Sequence, residues 1–507
     1  MRPLLTATII ATVIAVLAMT LNVVEAEGPL TAEELEQLVG TDWYSVRIFG
    51  QPNGYARIET DIVETEHGPR LRTTEDLKIL ISLGGQSLEA GKTQVTIYDE
   101  QLRPASIEMD KNELGRSGQL SAVLEGDELV VQSSSPDNGT LQPRMRRIEL
   151  PDDFSSDAII SARVVRGQLA VGDGFSYSVY DPEVDLIDRH FVEVAAGEEI
   201  DGVETLLVKS TSEQLGVEVL SWMDADGRLI RQSVPGLMDL TLERVSEEEA
   251  LAGLAPFEIL SEIRVEQHLP LVRSLQQVRL RISSDNGSAA EMIPHSDRQS
   301  VEQIGEDVLV TISREMPPTD TLPLPISDEA FAECLATTTQ VQSDDPRIMA
   351  KAREIIGDET DSWAAAQMLC AWVRRNMQSV SSEPRPITAL EVLDSMRGDC
   401  TEHAILLAAL GRAVGLPTKL ATGLAYVGGR FGYHAWTQVY VGRWVEMDPS
   451  WGEMTADAGH MLIYSSALDD ASYARASLAT GRTLGAIGME IIGYTTADGR
   501  LVDVGEE

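Results

Sequence analysis

Arg397-Gly398-Asp399-Cys400-Thr401-Glu402-His403-Ala404, followed by Ile405-Leu406-Leu407-Ala408-Ala409-Leu410, is the stretch that decides how the C-terminal part of this chain folds. Asp399 at the N-cap position with Glu402 three residues later reads as an acidic capping box, which makes Cys400 the first helical residue. The apolar run carries the helix inward, Arg412 falls in its last turn, and Gly415-Leu416-Pro417 supplies the stop. A thiol at such a helix start faces unpaired backbone N–H groups and the positive end of the dipole. Both favour thiolate over thiol. The same N–H groups suit an oxyanion, and the backbone N–H of Cys400 is the donor the sequence assigns. Taken alone, a cysteine in this position is more often a packing residue than a nucleophile.

Two further motifs change that balance. Tyr433 to Val441 alternates as a strand, with His434, Trp436, Gln438 and Tyr440 on one face. A turn around Gly442 leads into Trp444-Val445-Glu446-Met447-Asp448-Pro449. Because side chains alternate, a two-residue loop would put His434 and Asp448 on opposite faces. The three-residue loop Val441-Gly442-Arg443 puts them on the same face, as diagonal neighbours. The expected loop is therefore the odd one. Asp448 would then hold the imidazole in the tautomer whose other nitrogen meets Cys400. His403, one turn into the helix, points away from a carbonyl bound above Cys400. His460 is expected to be structural, and for Trp436 and Trp451 a cleft wall and core packing are equal alternatives.

The rest of the chain is read outward from this region. Its 507 residues exceed one core, so several domains are expected. A formal charge of −41 repels nucleic acid and anionic membranes, so no nucleic-acid partner is expected. Residues 1–26 read as a signal peptide or retained anchor: Arg2, then an apolar run from Leu4 to Val24, then Val24-Glu25-Ala26 as a small-residue cleavage site. The mature protein is accordingly expected outside the cytoplasm, in the periplasm, in the cell envelope or secreted, with membrane anchoring through that segment an open option. Three cysteines, Cys334, Cys370 and Cys400, are too few for a disulfide framework and show no metal spacing. No metal or cofactor is expected.

Residues 27–250 alternate in β fashion between Gly, Asn and Asp clusters. They form a β-rich N-terminal region whose two stretches could be halves of one large antiparallel sheet. Thr31 and Ser246 look like helix caps within it. Residues 251–330 read as a small β-sandwich-like domain, with strands at Gln277–Ile282 and Val308–Ile312, and a Pro-rich linker. Residues 331–507 turn helical from Asp345, with Ser362 as a helix cap, and lead into the nucleophile region.

Gly398-Asp399-Cys400, the helix ending in Gly415-Leu416-Pro417, His434-Ala435-Trp436 and Trp444 to Pro449 together resemble the transglutaminase-like superfamily of cysteine enzymes, over roughly Asp345 to Tyr464. The resemblance implies an α+β, papain-related core preceded by antiparallel β-rich domains. It also implies Cys400 as nucleophile, His434 as general base and acid, and Asp448 as orienter. A second oxyanion donor is left open among Trp363, Trp372, Asn376 and Gln378. The expected activity is acyl transfer from peptide or protein amides through a thioester, with hydrolysis favoured over cross-linking. The alternative is a non-catalytic envelope binding or scaffold protein that retains the fold. Substrate identity and oligomeric state are not readable.

Overall fold

The computed structural model describes residues 31–504, apart from 67, 84–85, 114–115, 138–139, 259–261, 285–288, 381–387 and 470. The segment read as signal or anchor lies outside the described residues. Among the described residues no helix is long and apolar enough to cross a membrane. The chain divides into two compact units that meet in sequence near residue 260.

The first unit is built on one sheet, with sixteen strands among the described residues. One edge is Thr140–Glu149, and successive hairpins lead back to Gly40–Ile48. That strand pairs antiparallel with Leu240–Val245, from which hairpins continue to Gly174–Asp181 and the short parallel edge Phe154–Ser155. Both β stretches expected from sequence thus belong to one sheet. It curls on itself: Leu71 and Tyr98 share a core with Val179 and Val192, and Ile107 and Leu129 share another with Phe154 and Tyr180. Capping boxes close the helices Ala32–Leu38 and Glu247–Leu251 at Thr31 and Ser246.

Along Gln86–Tyr98 the buried face carries Lys92, Gln94 and Thr96, while Val95 and Ile97 are less buried. Apolar alternation would suggest the reverse. The polar face is turned inward because the interior holds a charge cluster: Lys92 Nζ lies 3.6 Å from both Glu75 and Glu183. Nearby, His190 Nδ1 meets Asp157 at 3.1 Å, and Asp157 also accepts from Tyr177.

The second unit holds the helices and two further sheets. A core of Ile348, Leu369, Val373, Leu406, Leu407, Leu410 and Val439 joins helices Pro346–Ile356, Ser362–Asn376 and Cys400–Ala413 to the sheet behind them. Asp361, one residue before the expected Ser362, caps the second helix. Asp361 has extended backbone outside the first turn, so its carboxylate accepts the N–H of Ala364, while Ser362 is already helical. The sheet runs Glu262–Arg264, Arg430–Tyr440, Thr418–Tyr426 and His460–Ser466, with Trp444–Met447 paired to the far half of Arg430–Tyr440.

Gln277–Ser284 and Asp307–Ser313, which contain the two strands read from sequence as a small sandwich, form one five-stranded sheet with Gln299–Ile304, Ile487–Thr495 and Leu501–Asp503. They are therefore part of the same compact unit as the core rather than a separate module. Strand pairing across about 200 residues leaves no local mark, and only proximity in the folded chain reveals it.

Candidate active site

Asp399 accepts from Thr401 N while the Glu402 carboxylate takes the N–H of Asp399 at 2.6 Å, so the capping box forms and Cys400 opens its helix. The helix packs on the histidine strand, where Thr437 Oγ1 donates to the carbonyl of Ala404 at 3.3 Å. Gly415, at φ 78°, ends the helix in a left-handed turn that Gly adopts without steric cost.

The hairpin after the histidine strand has the odd loop. Thr437 pairs with Met447 and Tyr440 with Trp444, leaving Val441, Gly442 and Arg443 in the turn, closed by Val441 N to Arg443 O at 3.0 Å. His434 and Asp448 consequently share a face, with His434 Nε2 2.7 Å from Asp448 Oδ2. Both are buried, and His434 Nδ1 has no hydrogen-bond partner among the described residues. Asp448 Oδ1 accepts from Ser450 N, Ser450 Oγ and Trp451 N. Burial alone would raise the Asp448 carboxyl, but the facing imidazoles of His434 and His460 hold it well below the ordinary carboxylate range.

Cys400 keeps part of its surface open, whereas Cys334 and Cys370 are buried; all three are free thiols. The sulfur takes a hydrogen bond from the backbone N–H of Ala435, the residue after His434. Burial nevertheless pushes the Cys400 thiol well up, and the Asp399, Glu402 and Asp448 carboxylates add to it against the Ala435 bond. This direction is opposite to the one expected from the helix start. A capping box puts two carboxylates at the same helix end as the thiol, and their charge opposes the dipole.

Trp436 is fully buried and donates from Nε1 to Glu446 at 2.9 Å, so it belongs to the core rather than to a cleft wall. Trp451 stacks on the His434 ring, with centroids 4.5 Å apart and planes at 22°. His403 turns its Nδ1 back to the carbonyl of Asp399 at 2.5 Å. Among the open oxyanion candidates, Trp363 and Trp372 pack against the helical core, and Asn376 donates to the carbonyl of Trp372. Gln378 is on a short strand paired in parallel with Arg397–Gly398, the residues leading into Cys400.

Three contributors escaped the sequence reading. Arg298 reaches from the accessory sheet to Glu446, to the carbonyls of Asp457 and His460, and to Ser313 O. Asp457 and Glu446 are the others. Arg298 lies about 150 positions upstream of its partners, and no local pattern marks it. His434, Asp448 and His460 bring ligand atoms within 4.8 Å of one another, as do Glu453, Asp457 and His460, so either set has the spacing of a metal site. The His460 nitrogens already face carboxylate oxygens on both sides, so these residues are read as hydrogen-bonding groups rather than metal ligands.

Residues 349–449 match the transglutaminase-like superfamily, and this segment contains Cys400, His434 and Asp448. The match covers about a fifth of the chain, lies in a segment that mixes helices with an antiparallel sheet, and is preceded by antiparallel β structure. Two solved structures are similar to it at low identity. One, from Cytophaga hutchinsonii and described as a candidate cysteine protease, shares 15% identity over 46% of this chain and 84% of its own, with a TM-score of 0.30. The other, described as a candidate protease from Parabacteroides distasonis, shares 12% identity over 82% of this chain and 69% of its own, with a TM-score of 0.17. No curated protein matches. The class that the match over residues 349–449 supports is the transglutaminase-like superfamily.

Proposed function

We propose that the second unit is a thiol acyl-transfer enzyme acting on amide bonds of peptides or proteins, with Cys400 as nucleophile, His434 as base and acid, and Asp448 as orienter. The observation that carries this reading is the His434 Nε2 to Asp448 Oδ2 bond of 2.7 Å, which leaves Nδ1 unpartnered beside the strand that contacts Cys400. As the sulfur attacks the amide carbonyl carbon, its proton passes to His434. The oxyanion collapses, the C–N bond breaks, and His434 returns the proton to the leaving amine. Water then attacks the thioester, giving the acid and restoring the thiol.

Hydrolysis is favoured over amine transfer because water is always at hand and no acceptor site is legible in the sequence. The apolar Leu4–Val24 stretch supports placing this activity outside the cytoplasm. Trapping with an activated acyl substrate and intact-mass measurement tests the proposal. An adduct on Cys400 that hydroxylamine removes, and that Cys400→Ala lacks, is the expected result. Survival of the biological activity in Cys400→Ala would instead support a binding or scaffold role.

A further inference from the structure

The carboxylate of Asp448 is shared between two imidazoles. Its Oδ2 lies 2.7 Å from His434 Nε2 and 3.4 Å from His460 Nε2. His460 in turn has Nδ1 2.9 Å from Asp457 Oδ1, an oxygen that also accepts Gly459 N. His434, Asp448, Asp457 and His460 are all buried. A neutral imidazole owns a single N–H. Between two carboxylates it would turn a lone pair onto one of them, and such an encounter in a dry site is costly. Only the doubly protonated ring donates to both.

The charged groups around His460 favour that form. Asp448 and Asp457 face its two nitrogens, and Glu453 stands with Asp457 on the same side. The neutral contacts are rings: Trp451 at 5.1 Å, Trp436 at 5.2 Å and His434 at 5.7 Å between centroids. Arg298, the nearby guanidinium, donates to the backbone carbonyl of His460 and is itself paired with Glu446. Burial pulls the His460 ring down, but its bonds to Asp448 and Asp457 more than offset this and bring it up to about 9.

We propose that His460, held as an imidazolium by Asp457, is a positioning residue for the thiol chemistry: it fixes Asp448 Oδ2 against His434 Nε2. The inference rests on the triad reading above. His460 touches no reacting atom and acts through Asp448. When it loses its second proton, one nitrogen presents a lone pair to a carboxylate oxygen, Asp448 can turn, and His434 loses its orienter.

Two measurements test this. The first is ring-nitrogen NMR of histidine-labelled full-length Cys400→Ala, which cannot react. His460 should keep both ring protons through about pH 8, and Asp457→Asn, which preserves shape but removes charge, should lower its titration by about one pH unit or more. A His460 with one ring proton at pH 7 overturns the inference whatever the enzyme does. The second is acylation of Cys400 by p-nitrophenyl acetate. His460→Gln should lower the rate at pH 7 roughly tenfold with the half-saturating concentration little changed. Asp457→Asn should move the alkaline limb to lower pH. Equal rates and profiles in all three proteins overturn the inference. Absence of Cys400 acylation in the wild type would overturn the triad reading, and the NMR result would still decide the state of His460.

Discussion

Arg298 Nη2 lies 2.6 Å from Glu446 Oε2, and both side chains are almost wholly buried. Glu446 is on the strand that leads to Asp448, and it also takes the indole N–H of Trp436 and the amide of Gln438. The five-stranded sheet therefore reaches the aspartate strand through this guanidinium and through Glu315, whose carboxylate accepts the backbone N–H of Glu446 at 3.2 Å. Arg298→Ala should cost about 3–5 kcal/mol in urea unfolding at pH 7, because it leaves a buried carboxylate without its partner. Burial raises the Glu446 carboxyl, but Arg298 outweighs it and holds the group below its usual value. Its contribution to stability is thus present above the usual glutamate range and is lost as pH falls through the lowered value. The arginine variant should show less acid-dependent loss than the wild type, and equal slopes would argue against the pair.

The raised Cys400 thiol has a kinetic consequence. Iodoacetamide labelling of the free protein should keep climbing above about pH 8 rather than levelling off near neutrality, since the thiolate is the reactive form. His434→Ala should slow acylation by p-nitrophenyl acetate at pH 7 by at least roughly 100-fold, because the proposed mechanism makes His434 the base that takes the thiol proton. A labelling plateau below neutral pH would show a resting thiolate.

Gly423 pairs with His434 across the sheet, at an irregularity in the pairing with His460–Ser466. A Cβ there would meet the carbonyl oxygen of Met461 at 1.9 Å. Gly423→Ala must push two strands apart, and a loss of about 2 kcal/mol or more in thermal or urea unfolding is expected. An unchanged midpoint would mean that the strands separate freely.

In the first unit, Lys92 balances Glu75 and Glu183, and neither Glu183 oxygen has a hydrogen-bond partner among the described residues. Lys92→Met should destabilise this unit by about 3–5 kcal/mol, by the same unpaired-charge argument. Cys400 labelling should stay as in the wild type. Limited proteolysis with fragment masses would show which unit opens, and cleavage confined to residues beyond 260 would contradict the assignment.

Local grammar was enough for much of the site. Asp399 and Glu402 announce a helix start three residues apart, and the parity of the loop at Gly442 follows from side-chain alternation once His434 and Asp448 must share a face. The cap at Asp361 was missed by one residue because Asp and Ser are both good caps and stand side by side. The inward polar face of Gln86–Tyr98 was hidden for another reason. Alternation shows that a strand has two faces, but which face is buried depends on partners such as Glu183, about 90 residues away.

The sequence by itself determined that a cysteine begins a helix, that a histidine and an aspartate lie on one face of the following hairpin, and that a long antiparallel β region comes first. Those properties depend on residues within a few positions of each other, where backbone geometry leaves little choice. Only the tertiary structure decided that burial and nearby carboxylates push the thiol up, that the strands before and after the core close one sheet, and that His460 meets the aspartate while Asp457 and Arg298 hold His460. Charge balance and desolvation depend on everything within several ångströms, and those neighbours come from places the chain order does not connect.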